Sequence, residues 1–134
     1  MSKGTILVVD DEKKIINFVS AYLKRDGFEV AVATDGAQAL DLWREQQPSL
    51  IVLDLMLPGV DGLDVCREIR KTSDVPIVML TGQGSESDIV QALERGADDY
   101  LTKPFNGDEL AKKIESLLFM AKSGKLPSQF SSRG

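Results

Sequence analysis

The feature that most constrains this chain is a five-fold alternation between short apolar runs and amphipathic stretches. Thr5-Ile6-Leu7-Val8-Val9, Leu50-Ile51-Val52-Leu53 and Pro76-Ile77-Val78-Met79-Leu80 are unbroken apolar segments rich in β-branched residues. A strand with one wet face alternates apolar and polar residues, whereas a strand covered on both faces reads as a continuous run. Phe28 to Ala33 and Asp99 to Thr102 complete a set of five strands. Between them apolar residues recur at helical spacing: Ile15, Val19 and Leu23; Ala39, Leu42 and Trp43; Leu63, Val65, Cys66 and Ile69; Ile89, Val90 and Leu93; Leu110, Ile114, Leu117 and Leu118. Gly27, Pro48 and Gly96 stand where helices should stop, and Asn106 is a good N-cap for the last one. Strict strand–helix alternation calls for a parallel sheet with helices on both faces, joined by right-handed crossovers. The expected fold is α/β, a doubly wound (βα)5 unit with a flavodoxin-like strand order 2-1-3-4-5.

At 134 residues the chain suits one domain, large enough to bury a core without disulfides or a structural metal. The expected domain spans 1–121. From Lys122 the periodicity gives way to Ser, Gly, Pro and Gln, so 122–134 reads as a flexible tail or the start of a linker. No apolar run approaches the ~18–20 residues that span a bilayer, and Met1-Ser2-Lys3-Gly4 has no signal-peptide shape, so no membrane association is expected and the cytoplasm is the default compartment. A net charge of −5 argues against direct nucleic-acid binding, which needs a basic surface to displace counterions. The single cysteine, Cys66, cannot form an intrachain disulfide and reads as a small buried hydrophobe. The complete lack of histidine excludes a His-based zinc site, a Ser–His–Asp triad and an internal phosphohistidine.

In an open parallel sheet, ligands bind beyond the carboxyl ends of the strands. The first strand ends at Asp10 and Asp11, the third at Asp54 and the fourth at Thr81, and Lys103 and Pro104 follow the fifth. In the order 2-1-3-4-5 these strands are neighbours, so three carboxylates, a hydroxyl and an ammonium converge on one edge. Singly, each residue has an ordinary explanation. Asp10 and Asp11 could cap the first helix, Thr81 could be a turn residue, Lys103 a surface lysine and Tyr100 a half-buried strand aromatic. Together they suit one task. Clustered carboxylates repel one another unless a cation sits among them, and an all-oxygen set favours Mg2+. A carboxylate beside Mg2+ can attack a phosphoryl group, a transfer that needs mainly positioning and neutralised charge on the phosphoryl oxygens.

The residues that make up this edge carry a resemblance. Val8-Val9-Asp10-Asp11-Glu12, Leu53-Asp54-Leu55-Met56-Leu57-Pro58 with Gly62, Leu80-Thr81-Gly82, and Gly96-Ala97-Asp98-Asp99-Tyr100-Leu101-Thr102-Lys103-Pro104-Phe105 resemble the receiver domains of two-component response regulators, in family order over residues 4 to about 121. The resemblance implies Asp54 as phosphoacceptor, direct Mg2+ binding by Asp11, and binding by Asp10 largely through water. It also implies a ligand in the Met56 backbone carbonyl, a phosphoryl contact from Lys103, a cis Lys103–Pro104 bond, and structural roles for Pro58 and Gly62. Thr81 and Tyr100 would be the switch pair that reshapes the face of the fourth helix, fifth strand and fifth helix. The implied partners are a sensor histidine kinase or histidine phosphotransfer protein upstream, and an output domain or downstream protein on that face.

The motifs look most like receivers attached to winged-helix DNA-binding domains. That subgroup usually carries a basic residue where Gln91 stands and arginines where Phe119 and Met120 stand. Glu94, Asp98, Asp99 and Lys113 supply only part of the charge set with which such receivers form phosphorylation-dependent homodimers. Gly82 replaces the commoner alanine but stays small.

Other classes compete less well. An aspartyl-phosphate phosphatase needing Mg2+ would want an acid two residues after the nucleophile, where Met56 stands. A flavin-binding flavodoxin-like module would want Ser, Thr or Gly after the first strand, where the chain has Asp10-Asp11-Glu12-Lys13. A receiver that never takes phosphate would not be expected to keep the full site.

Overall fold

The computed structural model describes residues 3–82, 86–124 and 126. Among the described residues ten elements alternate: β1 (Thr5–Val9), α1 (Lys13–Arg25), β2 (Glu29–Ala33), α2 (Gly36–Gln46), β3 (Leu50–Asp54), α3 (Gly62–Arg70), β4 (Ile77–Thr81), α4 (Glu86–Glu94), β5 (Asp99–Thr102) and α5 (Gly107–Ser123). All strand pairs are parallel and the order is β2-β1-β3-β4-β5, as the alternation requires.

The period-two geometry of strands divides the core. Ile6 and Val8 of β1, Leu50 and Val52 of β3, and Val78 and Leu80 of β4 face one side, where they meet Val19 and Leu23 of α1 and Leu110, Ile114 and Leu117 of α5. Leu7, Val9, Ile51, Leu53, Ile77 and Met79 face the other side and meet Ala39 of α2, Val65, Cys66 and Ile69 of α3, and Ala92 of α4. Burying one such Leu or Ile side chain is worth roughly 1.5–3 kcal/mol, so two filled layers hold the central strands firmly. Register carries that rigidity to the strand ends, where Val9 lies beside Leu53, Asp54 beside Leu80, and Thr81 beside Thr102.

Local chemistry sets the helix ends. Asp35 caps α2 by accepting the Gln38 N–H at 2.8 Å, and Asp61 caps α3 through the Leu63 N–H at 2.9 Å. Asn106 and Glu109 form a reciprocal capping box on α5. One expectation needs correction. Lys122 and Ser123 belong to α5, which closes at Gly124 in the left-handed region (φ 69°), and Leu126 returns to the core, only 2% exposed. The drop in apolar periodicity at Lys122 therefore marks the wet side of a last helical turn, and a buried leucine follows it. The rest of the expected tail, 127–134, lies outside the described residues, as do Gln83, Gly84 and Ser85 of the loop before α4.

A buried ion pair ties the other end of the sheet together. Arg70, the last residue of α3, donates from Nη2 to Asp98 Oδ2 at 2.9 Å, from Nε to the Gly96 carbonyl at 2.8 Å and from Nη1 to the Ser73 carbonyl at 3.2 Å. Asp98 Oδ2 also accepts the Ile77 N–H at 2.9 Å. This clamp holds the turn between α4 and β5 against the start of β4.

Candidate functional site

Asp10 follows β1 and is fully buried, Asp54 closes β3 at 4% exposure, and Thr81 closes β4 at 1%. Asp11, the next residue after Asp10, is exposed. Carboxylate oxygens of Asp10, Asp11 and Asp54 all lie within 4.8 Å of one another. Lys103, one residue beyond β5, reaches back over them. Its Nζ lies 3.0 Å from Asp10 Oδ2, 3.1 Å from Glu12 Oε1 and 3.4 Å from Asp54 Oδ2. The Lys103–Pro104 peptide is cis. Asp54 Oδ1 accepts the Met56 N–H at 3.1 Å. The Thr81 hydroxyl is buried and has no hydrogen-bond partner among the described residues.

The loop after β3 is shaped for close approach. A Cβ on Gly62 would collide with the Asp54 carbonyl oxygen and the Leu55 backbone, and the Gly62 N–H donates to the Leu55 carbonyl at 3.1 Å. Glycine is the residue that lets α3 start this near the acceptor strand. Pro58 and Met56 lie exposed on the same loop, with Met56 at 74% exposure. Tyr100 stands apart from the acidic cluster. It is half-buried on β5, packed against the α2–α3–α4 side of the core, with Lys113 Nζ 5.8 Å from its ring centroid and bonded to both Asp99 carboxylate oxygens at 3.1 Å.

The electrostatics follow from this crowding. Burial pushes the Asp54 carboxyl up from 3.8 to about 6, and the Asp10 charge pushes the same way, against the opposing Met56 N–H and Lys103 ammonium. For Lys103, burial alone would favour the neutral amine. Hydrogen bonds to Asp10 and Glu12 and the charges of Asp54 and Asp10 outweigh it, and hold the ammonium charged well above the usual lysine range. Neither Asp10 nor Asp11 caps α1. The N-cap is Glu12, whose side chain makes no capping bond, and Asp10 Oδ1 instead accepts the Glu12 N–H at 2.9 Å. The contact between Glu12 and Lys103 was not anticipated from sequence. Its one signal is a glutamate at an N-cap, where shorter Asp, Asn, Ser or Thr is usual.

All of these side chains thus meet at the carboxyl edge of the sheet except Tyr100, which faces a neighbouring surface. A family model described as the response regulator receiver domain matches residues 6–115. The chain belongs to the receiver family. Solved structures agree. The receiver resembles NtrX from Brucella abortus at 38% identity and a TM-score of 0.87, over 93% of this chain and 28% of that one. The isolated NtrX receiver domain from the same organism matches at 39% identity and a TM-score of 0.82, covering 85% of this chain and 98% of the other. The receiver domain of response regulator 1452 from Francisella matches at 35% identity and a TM-score of 0.83, covering 89% and 99%. The receiver therefore corresponds to a little over a quarter of the longer regulator and to nearly the whole of the isolated domains. Membership of this family implies phosphorylation-dependent signalling through a two-component system. Among the described residues, no helix is long and apolar enough to cross a membrane.

Proposed function

We propose that this receiver is a switch in which Asp54 takes a phosphoryl group from a phosphohistidine on a sensor histidine kinase or histidine phosphotransfer protein. The observation that carries the reading is the environment of Asp54: a buried carboxylate grouped with two others and 3.4 Å from an ammonium. The histidine lies outside these 134 residues, which contain none.

The donor set fits Mg2+. It consists only of oxygens, and Asp54, raised first by burial and then by the neighbouring Asp10 charge, would be held ionised by a cation placed among these carboxylates. Asp11, Asp10 and Asp54, with the Met56 carbonyl, would hold the ion, which when bound supplies positive charge to the phosphoryl oxygens. In the transfer, an Asp54 oxygen bonds to phosphorus as the phosphorus–nitrogen bond breaks, and the electron pair leaves with the partner's imidazole. The Lys103 ammonium neutralises one phosphoryl oxygen. The Thr81 hydroxyl, which has no partner among the described residues, donates to another. Moving Thr81 toward the phosphoryl group makes room for Tyr100 to turn inward, and the surface of α4, β5 and α5 changes for an output domain or downstream protein. Hydrolysis by water returns the switch slowly to its starting state. On this reading the domain works in the cytoplasm, and the net charge of −5 disfavours direct contact of this chain with nucleic acid. Release by a phosphatase-type acid is disfavoured because Met56 occupies the position such an acid would need.

The test is intact mass after incubation with acetyl phosphate and Mg2+, beside Asp54→Asn. The expected result is one phosphoryl group on the wild type, none on the variant and none in excess chelator. No added mass, together with no stable beryllium fluoride complex, would overturn the reading.

A further inference from the structure

We propose that Glu12 is a positioning residue for Lys103, holding its ammonium at the mouth of the site and yielding it to the phosphoryl group. This rests on the reading that Lys103 contacts that group. Three observations support it. The ammonium lies within 3.4 Å of three carboxylates and is hydrogen-bonded to two of them, Glu12 and Asp54. A phosphoryl oxygen that approaches the ammonium competes with these carboxylates for it. The buried Asp10 and Asp54 side chains are 0% and 6% exposed, whereas that of Glu12 is 59% exposed and can swing into water at little cost. Finally, Glu12 sits at an N-cap yet makes no capping bond, while its backbone is pinned by the Asp10 carboxylate, so among the described residues its side chain serves Lys103.

Glu12 therefore competes with the phosphoryl group for one cation. The contact is an exposed ion pair, so its removal should shift affinity modestly, about two- to five-fold. Contact and charge are separable. Glu12→Gln removes the charge, whereas Glu12→Asp keeps the charge but shortens the side chain by one methylene, which withdraws it from the 3.1 Å contact.

The experiment is titration with beryllium fluoride at saturating Mg2+, followed by fluorine NMR, on wild type, Glu12→Gln and Glu12→Asp. The Lys103 ammonium nitrogen resonance is recorded in parallel on the metal-free proteins, assigned by its loss in Lys103→Arg. Both Glu12 variants should bind the phosphoryl mimic about two- to five-fold more tightly than wild type, and both should shift the Lys103 resonance. If Glu12→Asp matches wild type in affinity and resonance, Glu12 acts only through its charge and the positioning role is overturned. Equal affinity in all three proteins also overturns it. Wild type that binds no mimic would instead remove the phosphoacceptor reading on which the inference rests.

Discussion

At Asp54, burial and the Asp10 carboxylate act against ionisation, and the sign of the resulting pH dependence can be worked out. The folded-state pKa, about 6, lies above the ordinary 3.8, so the folded chain holds this proton more tightly than the unfolded chain. The group costs nothing below about pH 4. Its penalty grows as pH rises from there through 6, then levels off. In chelator, Asp54→Asn should therefore melt higher than wild type at pH 7–8, by on the order of 1–2 kcal/mol, with the two curves converging near pH 4. A melting series across pH checks this, and a variant less stable than wild type at pH 8 would contradict it. The same proton competes with a divalent cation, so Mg2+ affinity measured by calorimetry should fall as pH drops below about 6. Asp10, Asp54, Thr81 and Lys103 were legible as a group because each ends, or directly follows, a strand whose apolar run is plain in the sequence. Glu12 was not, because nothing in a linear chain says that Lys103, 91 positions away, comes within 3.1 Å of it.

At the level of elements, α5 shows how packing overrides composition. Asn106 and Glu109 start it with a capping box, and Gly107 is held beneath the Tyr22 ring of α1, where an added Cβ would overlap the ring. Replacing Asn106 with Ala should cost about 1 kcal/mol in denaturant unfolding. Gly107→Ala should also destabilise, although Ala is the better helix former by about 1 kcal/mol, and the loss should shrink when Tyr22 is truncated to Ala in the same protein. At the other end of the helix, Leu126→Ala should cost about 2 kcal/mol, since a core leucine is removed from a packed layer. No measurable change would place Leu126 outside the folded unit. The sequence-based boundary fell short here because Lys122, Ser123 and Gly124 are polar or small, and their pattern does not reveal a buried residue beyond them.

Across the whole molecule, the fold separates support from chemistry. The acidic cluster lies at the carboxyl ends of the strands, and the Arg70–Asp98 pair lies at their start. That pair is nearly dry, with side chains 6% and 0% exposed, so Arg70→Met should destabilise by about 3 kcal/mol while Asp54 is still labelled by acetyl phosphate under conditions where the variant is folded. Loss of labelling in a folded Arg70→Met protein would show that the two ends are coupled. Cys66 belongs to the same supporting half. Burial pushes its thiol up to about 11, and it donates to the Arg95 carbonyl at 3.7 Å, so it is inert at neutral pH.

The alternation of apolar runs and amphipathic stretches sufficed to specify five parallel strands between two helical layers, because strand burial and helix period are written in neighbouring residues. The same logic marked the strand ends where Asp10, Asp54, Thr81 and Lys103 meet. Only the tertiary structure decided how those residues share charge: the three carboxylates around Lys103, the raised Asp54, the engagement of Glu12, and the Thr81 hydroxyl left without a partner among the described residues. It also decided that Leu126 belongs to the core and that Arg70 reaches Asp98. Local order follows from neighbours along the chain. Ion pairs, desolvation and close backbone approach depend on distances between residues far apart in sequence, and those distances exist only once the two layers have packed.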